Sequence, residues 1–287
     1  MYKRTERQIK NEAIFKDTER LCKSNPLLQD CIQKSGTKRK LYLEKDLINS
    51  DISARCAEET KVIVSGKRSL EAAMPYARAG EKVCVLNFAS ATNPGGGVVH
   101  GSSAQEESVC RCSTLYFNLN CPELWEQFYT PHREKGDPLY NDDCIYIPDV
   151  VVFKSDSSFP EQLPEKDWYQ VNILTCAAPN LRKNPSNNMN PKSGRKAADI
   201  TEEELAVLLR RRIRRIFEIA AAEGNNVLIL GAFGCGAFRN PPEVVAEVFR
   251  EVQEEYKKVF EVIEYAVYHT DREIRNYKVF KEKLDCL

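Results

Sequence analysis

From about residue 60 onward, short apolar runs alternate with stretches of helical periodicity, and this alternation limits the possible folds more than any other feature of the chain. Residues 62–65 (VIVS), 83–88 (VCVLNF), 170–178 (QVNILTCAA), 226–230 (NVLIL) and 260–268 (FEVIEYAVY) read as strands. Residues 144–153 (CIYIPDVVVF) carry a proline, so they read as two short strands or an edge. Between these runs, residues 69–79 predict a helix that stops at Gly80. Residues 105–118 predict another, with Val109, Cys112, Leu115 and Tyr116 at core-facing spacing. The clearest helix spans 201–222: Thr201 and Glu204 form a capping box, and Leu205, Leu209, Ile213, Ile216 and Ala220 share one face. Asn240-Pro241-Pro242 opens a helix with Asn240 as cap and Val245, Val248, Phe249, Val252 and Tyr256 facing inward. Such alternation predicts an α/β domain with a largely parallel or mixed sheet over residues 61–287. Residues 1–60 are charged and mostly helical in pattern, with breaks at 24–26 and 34–40, and are expected to form an N-terminal helical extension.

The size and charge of the chain exclude several classes. At 287 residues and 42% hydrophobic, it can bury a substantial core. Lysine plus arginine balance aspartate plus glutamate at 42 each, so no global field favours nucleic acid or a membrane surface, and any basic patch is local. Neither sequence-specific nucleic-acid binding nor membrane insertion is expected. Residues 227–238 form the longest nearly unbroken apolar run, well short of the roughly 18 residues a spanning helix needs. The first ten residues contain no apolar signal core. The eleven cysteines are odd in number and scattered, which favours reduced thiols in the cytoplasm over a secreted disulfide framework. Cys110 and Cys112 are too close for zinc, no His/Cys/Asp cluster stands out, and no metal or cofactor is expected. His100 reads as an exposed loop residue, His132 and His269 as structural. Arg210, Arg211, Arg212, Arg214 and Arg215 read mostly as a solvated helix face. Residues 179–198 form a long polar loop, a length usually reserved for functional or mobile segments.

Two glycine turns carry the functional signal. The first lies in NPGGGVVHGSSAQEE (93–107), where three consecutive glycines follow a strand and two glutamates open a helix. Ordering glycine is costly, and the cost is acceptable where a ligand or another backbone comes very close. The second, GAFGCGAFRNPP (231–242), joins a strand to a helix. Its glycine order fits neither the P-loop nor the dinucleotide fingerprint. It could cradle phosphate oxygens or simply make a tight connection, and Phe238 could pack in the core or on a ribose or base. Two such turns in one α/β sheet open on the same edge, which favours a phosphate-bearing, nucleotide-like ligand. Capping alone also accounts for the glutamates: Ser103 and Glu106 have capping-box spacing, and acidic residues in a first helical turn contribute about 0.3–1 kcal/mol each.

NFASATNPGGG, a seven-residue spacer, QEE and SVCRCSTLY closely resemble the signature of microbial-type poly(ADP-ribose) glycohydrolases, which belong to the macrodomain superfamily. GAFGCGAFRNPP resembles the diphosphate loop of that family. The resemblance covers about residues 60–270. It implies a macrodomain-like three-layer α/β/α fold with a mixed central sheet, and hydrolysis of ADP-ribose polymer from its end. Glu107 would then be the catalytic acid/base and Glu106 would hold the ribose. Gly95, Gly96 and Gly97, with Gln105 of the QEE motif, would lie against the distal ribose and diphosphate. Gly234, Cys235, Gly236 and Ala237 would cradle the diphosphate, Phe238 would order the terminal ribose, and Asn93 would contact ribose. Poly(ADP-ribose), free ADP-ribose and ADP-ribosylated proteins are the implied partners. Neighbouring residues on a helix diverge by about 100°, so the two carboxylates cannot flank one bond, and one acts while the other positions. Two other readings remain: a module that binds ADP-ribose without cleaving it, and a hydrolase of another ADP-ribose conjugate.

Overall fold

The apolar runs become strands of one sheet in a computed structural model, which describes residues 4–49, 53, 55–188 and 191–285. The strands are β1 (Lys40–Tyr42), β2 (Lys61–Ser65), β3 (Val83–Phe88), β4 (Cys144–Val152), β5 (Tyr169–Cys176), β6 (Val227–Leu230) and β7 (Val262–Ala266). They lie in the order β1-β4-β5-β3-β6-β7-β2. β4 runs opposite to the other six strands, so its pairs with β1 and β5 are antiparallel and the remaining four pairs are parallel. The helices are α1 (Glu6–Ser24), α2 (Pro26–Lys38), α3 (Ser69–Arg78), α4 (Gln105–Cys112), α5 (Leu115–Leu119), α6 (Pro122–Leu124), α7 (Thr130–Lys135), α8 (Glu202–Ala222), α9 (Pro242–Glu254) and α10 (Arg275–Leu284).

Strand side chains alternate between the two faces of the sheet, so both faces can be apolar only if each is covered. Cys84, Leu86, Leu174, Leu228 and Ile263 join the core built with α8, α9 and α10. Val83, Val85, Ile173 and Ile229 join the opposite core, with α3, α4 and α5. The result is the three-layer α/β/α architecture. Thr201 caps α8 as its sequence predicts, and the predicted inner face is buried. No helix of the described residues is long and apolar enough to cross a membrane.

Five local expectations need correction. The helix expected over 105–118 ends at Cys112, because Phe153 and Lys154 N–H groups donate to the Cys112 carbonyl (3.0 and 3.1 Å) and Ser113 bridges Val152. Residues 144–152 form a single strand rather than two. Pro148 sits in a register shift between Ile147 and Val150, beyond the stretch that β1 pairs, so its missing N–H interrupts no ladder there. Asn240 does not cap α9; its Nδ2 donates to the carbonyls of Pro179 (2.7 Å) and Gly234 (3.1 Å). Residues 40–42, inside the segment expected to be helical, form β1 at the sheet edge.

The arginine run is the fifth. Arg212 and Arg215 are buried, and Arg212 donates to Asp142 Oδ1 (2.8 Å), Ala177 O (2.8 Å) and Leu139 O (3.1 Å). Arg210 pairs with Glu251, Arg211 with Asp142 and Glu44, and Arg214 with Glu255. Arg215 donates to the carbonyls of Leu43 and Asp46. These guanidinium groups fasten loops and helices around α8, where a long stem and a fork of donors reach carbonyls that aliphatic residues cannot satisfy.

Candidate active site

Neighbouring parallel strands β3 and β6 end on the same edge of the sheet, and the two glycine turns follow them there. Gly96, Glu106 and Glu107 share a cavity of about 1050 Å³ with Gly234, Cys235, Gly236, Ala237 and Phe238. The pairing of the turns expected from the sequence is therefore realised.

What the first turn approaches closely is its own pair of carboxylates. Gly96 adopts φ +57°, and a Cβ there would lie 2.6 Å from Glu107 Oε1 and 3.0 Å from Glu106 Oε2. Gly97 donates its N–H to Glu107 Oε1 at 2.8 Å. Gly95 faces the protein, where a Cβ would meet the Tyr116 ring at 2.8 Å. Of the three glycines, Gly96 lines the cavity, and the other two shape the bed beneath the carboxylates.

Glu106 and Glu107 are 3% and 7% exposed, unusual burial for two adjacent acids. Ala104, not Ser103, precedes α4 and makes no side-chain cap. Glu106 points instead to the end of β3, accepting from Ser90 N–H (2.8 Å) and Asn87 Nδ2 (3.3 Å). The capping-box account of Glu106 therefore fails, because donors on the turn after β3 take its carboxylate. Glu107 has one oxygen on Gly97 N–H, while its buried Oε2 has no hydrogen-bond partner. Burial raises both carboxyls above the usual range, and for Glu106 repulsion by Glu107 adds to the effect. The pair thus holds a proton at pH values where lone surface carboxyls have lost theirs. Burial and repulsion act more strongly on Glu106, whereas hydrogen bonding points the other way, because Glu106 accepts from two donors and Glu107 Oε2 is left without one.

Gln105 lines the cavity but is fully committed: Oε1 accepts from Phe88 N–H (2.9 Å), and Nε2 donates to Leu86 O (2.9 Å) and Ser69 Oγ (3.0 Å). It stitches the start of α4 to β3 and α3. Asn93 is not brought to the cavity wall. Its Nδ2 donates to Thr92 Oγ1 (3.0 Å) and Pro191 O (3.3 Å), and Arg133 donates to its Oδ1. In the second turn, Gly234 is packed against Ala178 and Asn240, whereas a Cβ at Gly236 would meet open space. Phe238 is half-buried, 6.2 Å from the Tyr140 ring, with the Arg182 guanidinium 5.7 Å over its face. Phe238 is part of the cavity lining.

The helical extension also reaches the site. Asn11 Nδ2 donates to Gly101 O (3.1 Å) and Thr18 Oγ1 to Arg111 O (2.6 Å), so α1 braces both ends of the segment that carries the glutamates. Buried Lys154 pairs with Asp17 of α1 at 2.8 Å. Other cavity residues escaped the sequence reading. Arg68 lies 3.9 Å over the Tyr268 ring, Asp156 accepts from Leu70 N–H and Ser108 Oγ (both 3.0 Å), and Asn87 and Ser90 hold Glu106. Asn87 and Ser90 stood within the quoted NFASATNPGGG segment; Arg68, Asp156 and Tyr268 come from three distant segments with no shared spacing.

The remaining single residues behave as expected. Cys110 and Cys112 are buried, which raises their thiols. His100 is exposed, His132 bonds Phe128 O and Asn141 Oδ1 (both 2.7 Å), and His269 stacks on Tyr277 at 4.5 Å.

Residues 6–155 match the family model for the microbial-type PARG catalytic domain, PARG being poly(ADP-ribose) glycohydrolase. The fold is similar to that of the poly(ADP-ribose) glycohydrolase from Thermomonospora curvata, at 31% identity and a TM-score of 0.83, covering 96% of this chain and 99% of that one. The same enzyme bound to the inhibitor ADP-HPD gives a TM-score of 0.81 at 31% identity, with the same coverage of both chains. The Deinococcus radiodurans glycohydrolase in complex with ADP-ribose matches at 32% identity and a TM-score of 0.73, covering 89% of this chain and 98% of that one. No curated protein matches the chain. The chain belongs to the microbial-type poly(ADP-ribose) glycohydrolase family.

Proposed function

We propose that this protein hydrolyses poly(ADP-ribose), cleaving the ribose–ribose O-glycosidic bond at the polymer end and releasing ADP-ribose. The observation that carries this reading is the unequal pair of buried carboxylates, one saturated by donors and the other with a free oxygen, in a cavity shared with the second glycine turn. Glu107, protonated at Oε2, gives its proton to the departing ribose oxygen as the glycosidic bond breaks and the sugar becomes oxocarbenium-like. The ionised Glu107 then takes a proton from the attacking water, which closes the cycle. Glu106, held in place by Ser90 and Asn87, anchors the ribose hydroxyls. Acid–base assistance of this kind contributes about 10²–10⁴-fold. The 234–237 turn would receive the diphosphate and Phe238 the terminal ribose. The odd, scattered cysteines of the sequence support the cytoplasm as its compartment.

A binding module would need the phosphate turn but not a buried acid pair, whose desolvation is costly. Polymer cleavage and ADP-ribose binding, measured together for the parent and Glu107→Ala, test the reading. Lost cleavage with retained binding is the expected outcome. Binding by both proteins with cleavage by neither would make this a reader, and absence of binding in both would remove the nucleotide interpretation of the two turns.

A further inference from the structure

Arg111 lies one turn after Glu107 on α4 and has no part in the chemistry above. It is 4% exposed, and among the described residues it forms no salt bridge. Its Nε is buried without a hydrogen-bond partner. Burial presses the guanidinium below its usual value, while the charge of Glu107 acts the other way. A buried cation without an ion pair is costly to hold, and arginine does not escape the cost by losing its proton. What its donors do is fasten a backbone. Nη1 donates to Ser102 O at 2.5 Å. Ser102 N–H donates in turn to Gly97 O at 3.1 Å, and Gly97 N–H donates to Glu107 Oε1 at 2.8 Å.

This chain of bonds begins and ends on α4, and it closes a ring through the spacer between the glycine turn and the helix. Residues four apart share a helix face, so one ring can take in both side chains. The spacer's other backbone bonds are local: Val98 N–H to Gly95 O (3.1 Å), His100 N–H to Gly97 O (3.0 Å) and Gly101 N–H to Val98 O (3.1 Å). Arg111 ties the far end of the spacer back to the helix that carries the acid. Thr18 of α1 fixes it from outside, with Oγ1 2.6 Å from Arg111 O. Glu107 depends on the ring, because Oε2 has no partner and the bond from Gly97 sets how the carboxyl is turned. The charge of Arg111 also lowers the Glu107 carboxyl against the larger effect of burial. The other titratable groups around the pair are Glu106, Cys110 and Cys112 on α4, Tyr129, and Asp156, on which Arg68 acts. On α1, Asp17 is paired with Lys154.

We infer that Arg111 is a positioning residue for the acid, holding Gly97 N–H against Glu107 Oε1 through Ser102 and so fixing the orientation in which Oε2 is left free. The inference rests on Glu107 being the acid of the proposed reaction. Glutamine at 111 removes the charge and shortens the reach to Ser102 O, whereas lysine keeps the charge and a terminal donor. The limb on which kcat falls with rising pH belongs to the protonated acid. Without the Arg111 charge the Glu107 carboxyl rises further, so that limb moves to higher pH.

The test compares the parent, Arg111→Gln and Arg111→Lys in poly(ADP-ribose) cleavage across pH and in binding of free ADP-ribose. Arg111→Gln should lose roughly tenfold to 100-fold in kcat, as a misplacement of about 1 Å at the site produces. Its KM and its Kd for ADP-ribose should match the parent, and its high-pH limb should move upward. Arg111→Lys should recover most of the kcat and keep the parental limb. A parental kcat in Arg111→Gln overturns the assignment. So does a fall in kcat without movement of the limb, an equal defect in Arg111→Lys, or a matching loss of ADP-ribose affinity. Should Arg111→Gln not fold, amide exchange in the parent decides: slow exchange at both Gly97 and Ser102 supports the ring, and fast exchange at either overturns it. A parent that leaves polymer uncut, or a Glu107→Ala variant that cleaves as the parent does, removes the proposed acid and this inference together. A cleaving parent, an inactive Glu107→Ala and indifferent Arg111 variants remove this inference alone.

Discussion

At Glu107 the cost of burying an acid would also be the source of the acid/base role we propose for it. The folded protein raises this carboxyl, so it binds the proton more tightly than the unfolded chain does. Stability is therefore unpenalised below the unfolded carboxyl value of about 4.3 and falls as pH rises through the raised folded value. Glu107→Gln removes the titration while keeping the shape. We expect its melting temperature to exceed that of the parent near pH 7.5 and the gain to shrink toward pH 4, while polymer cleavage is lost at both. Equal gains at the two pH values in a scanning-calorimetry comparison would show that Glu107 is not strained by its charge. Gly96 tests the bed under the same group. Gly96→Ala places a methyl carbon at 2.6 Å from Glu107 Oε1 on a backbone with positive φ. The backbone strain is about 1–2 kcal/mol, and if Glu107 is the acid/base we propose, its displacement costs on the order of 100-fold in kcat. Cleavage assayed at a temperature where the variant remains folded separates the two effects.

Among the elements, α1 has the least obvious role from its own sequence. It is a charged helix with its own capping box at Thr5 and Gln8, and nothing in its periodicity names a partner. In the fold it lies against the loop after the glycine turn. Gly101, at φ +77°, comes so close that a Cβ would sit 2.0 Å from Gln8 O. Gly101→Ala must therefore push α1 and the loop apart. The expected result is faster amide exchange in α1 and in residues 98–104, with cleavage reduced roughly tenfold, as a small misplacement at the site would produce. Parental exchange and parental kcat would show that α1 is only a passenger. The secondary structure of such elements was readable where periodicity is self-contained, as in α8, whose cap and buried face both follow from local sequence. It was misread where a neighbour decides: α4 stops because Phe153 and Lys154, just after β4, claim the Cys112 carbonyl, and Asn240 gives up capping to hold Pro179 and Gly234.

Across the whole molecule, the buried Arg212–Asp142 pair joins α8 to the segment before β4 and to the end of β5 through Leu139 and Ala177. Removing Arg212 leaves Asp142 to Arg211 alone and takes a donor from each of the Leu139 and Ala177 carbonyls, a loss bounded by the about 3–5 kcal/mol of a buried pair broken outright. Arg212→Met should lower urea stability by up to that amount and leave the ADP-ribose Kd of the folded fraction unchanged, as measured by denaturation and calorimetric titration. A loss under about 1 kcal/mol would indicate that the pair is open to water, as surface pairs are. The alternation of apolar runs and helical periods determined the α/β architecture by itself, since each run can be buried only in a sheet covered on both faces. The glycine turns and the QEE segment likewise marked residues that the fold brings to one cavity. Tertiary structure decided the rest. It set which glutamate oxygen is left unpaired, it turned the glycines toward carboxylates, and it buried arginines that a helical wheel leaves in water. Those outcomes depend on donors, carbonyls and counter-charges delivered from distant segments, and no local pattern in the chain records their arrival.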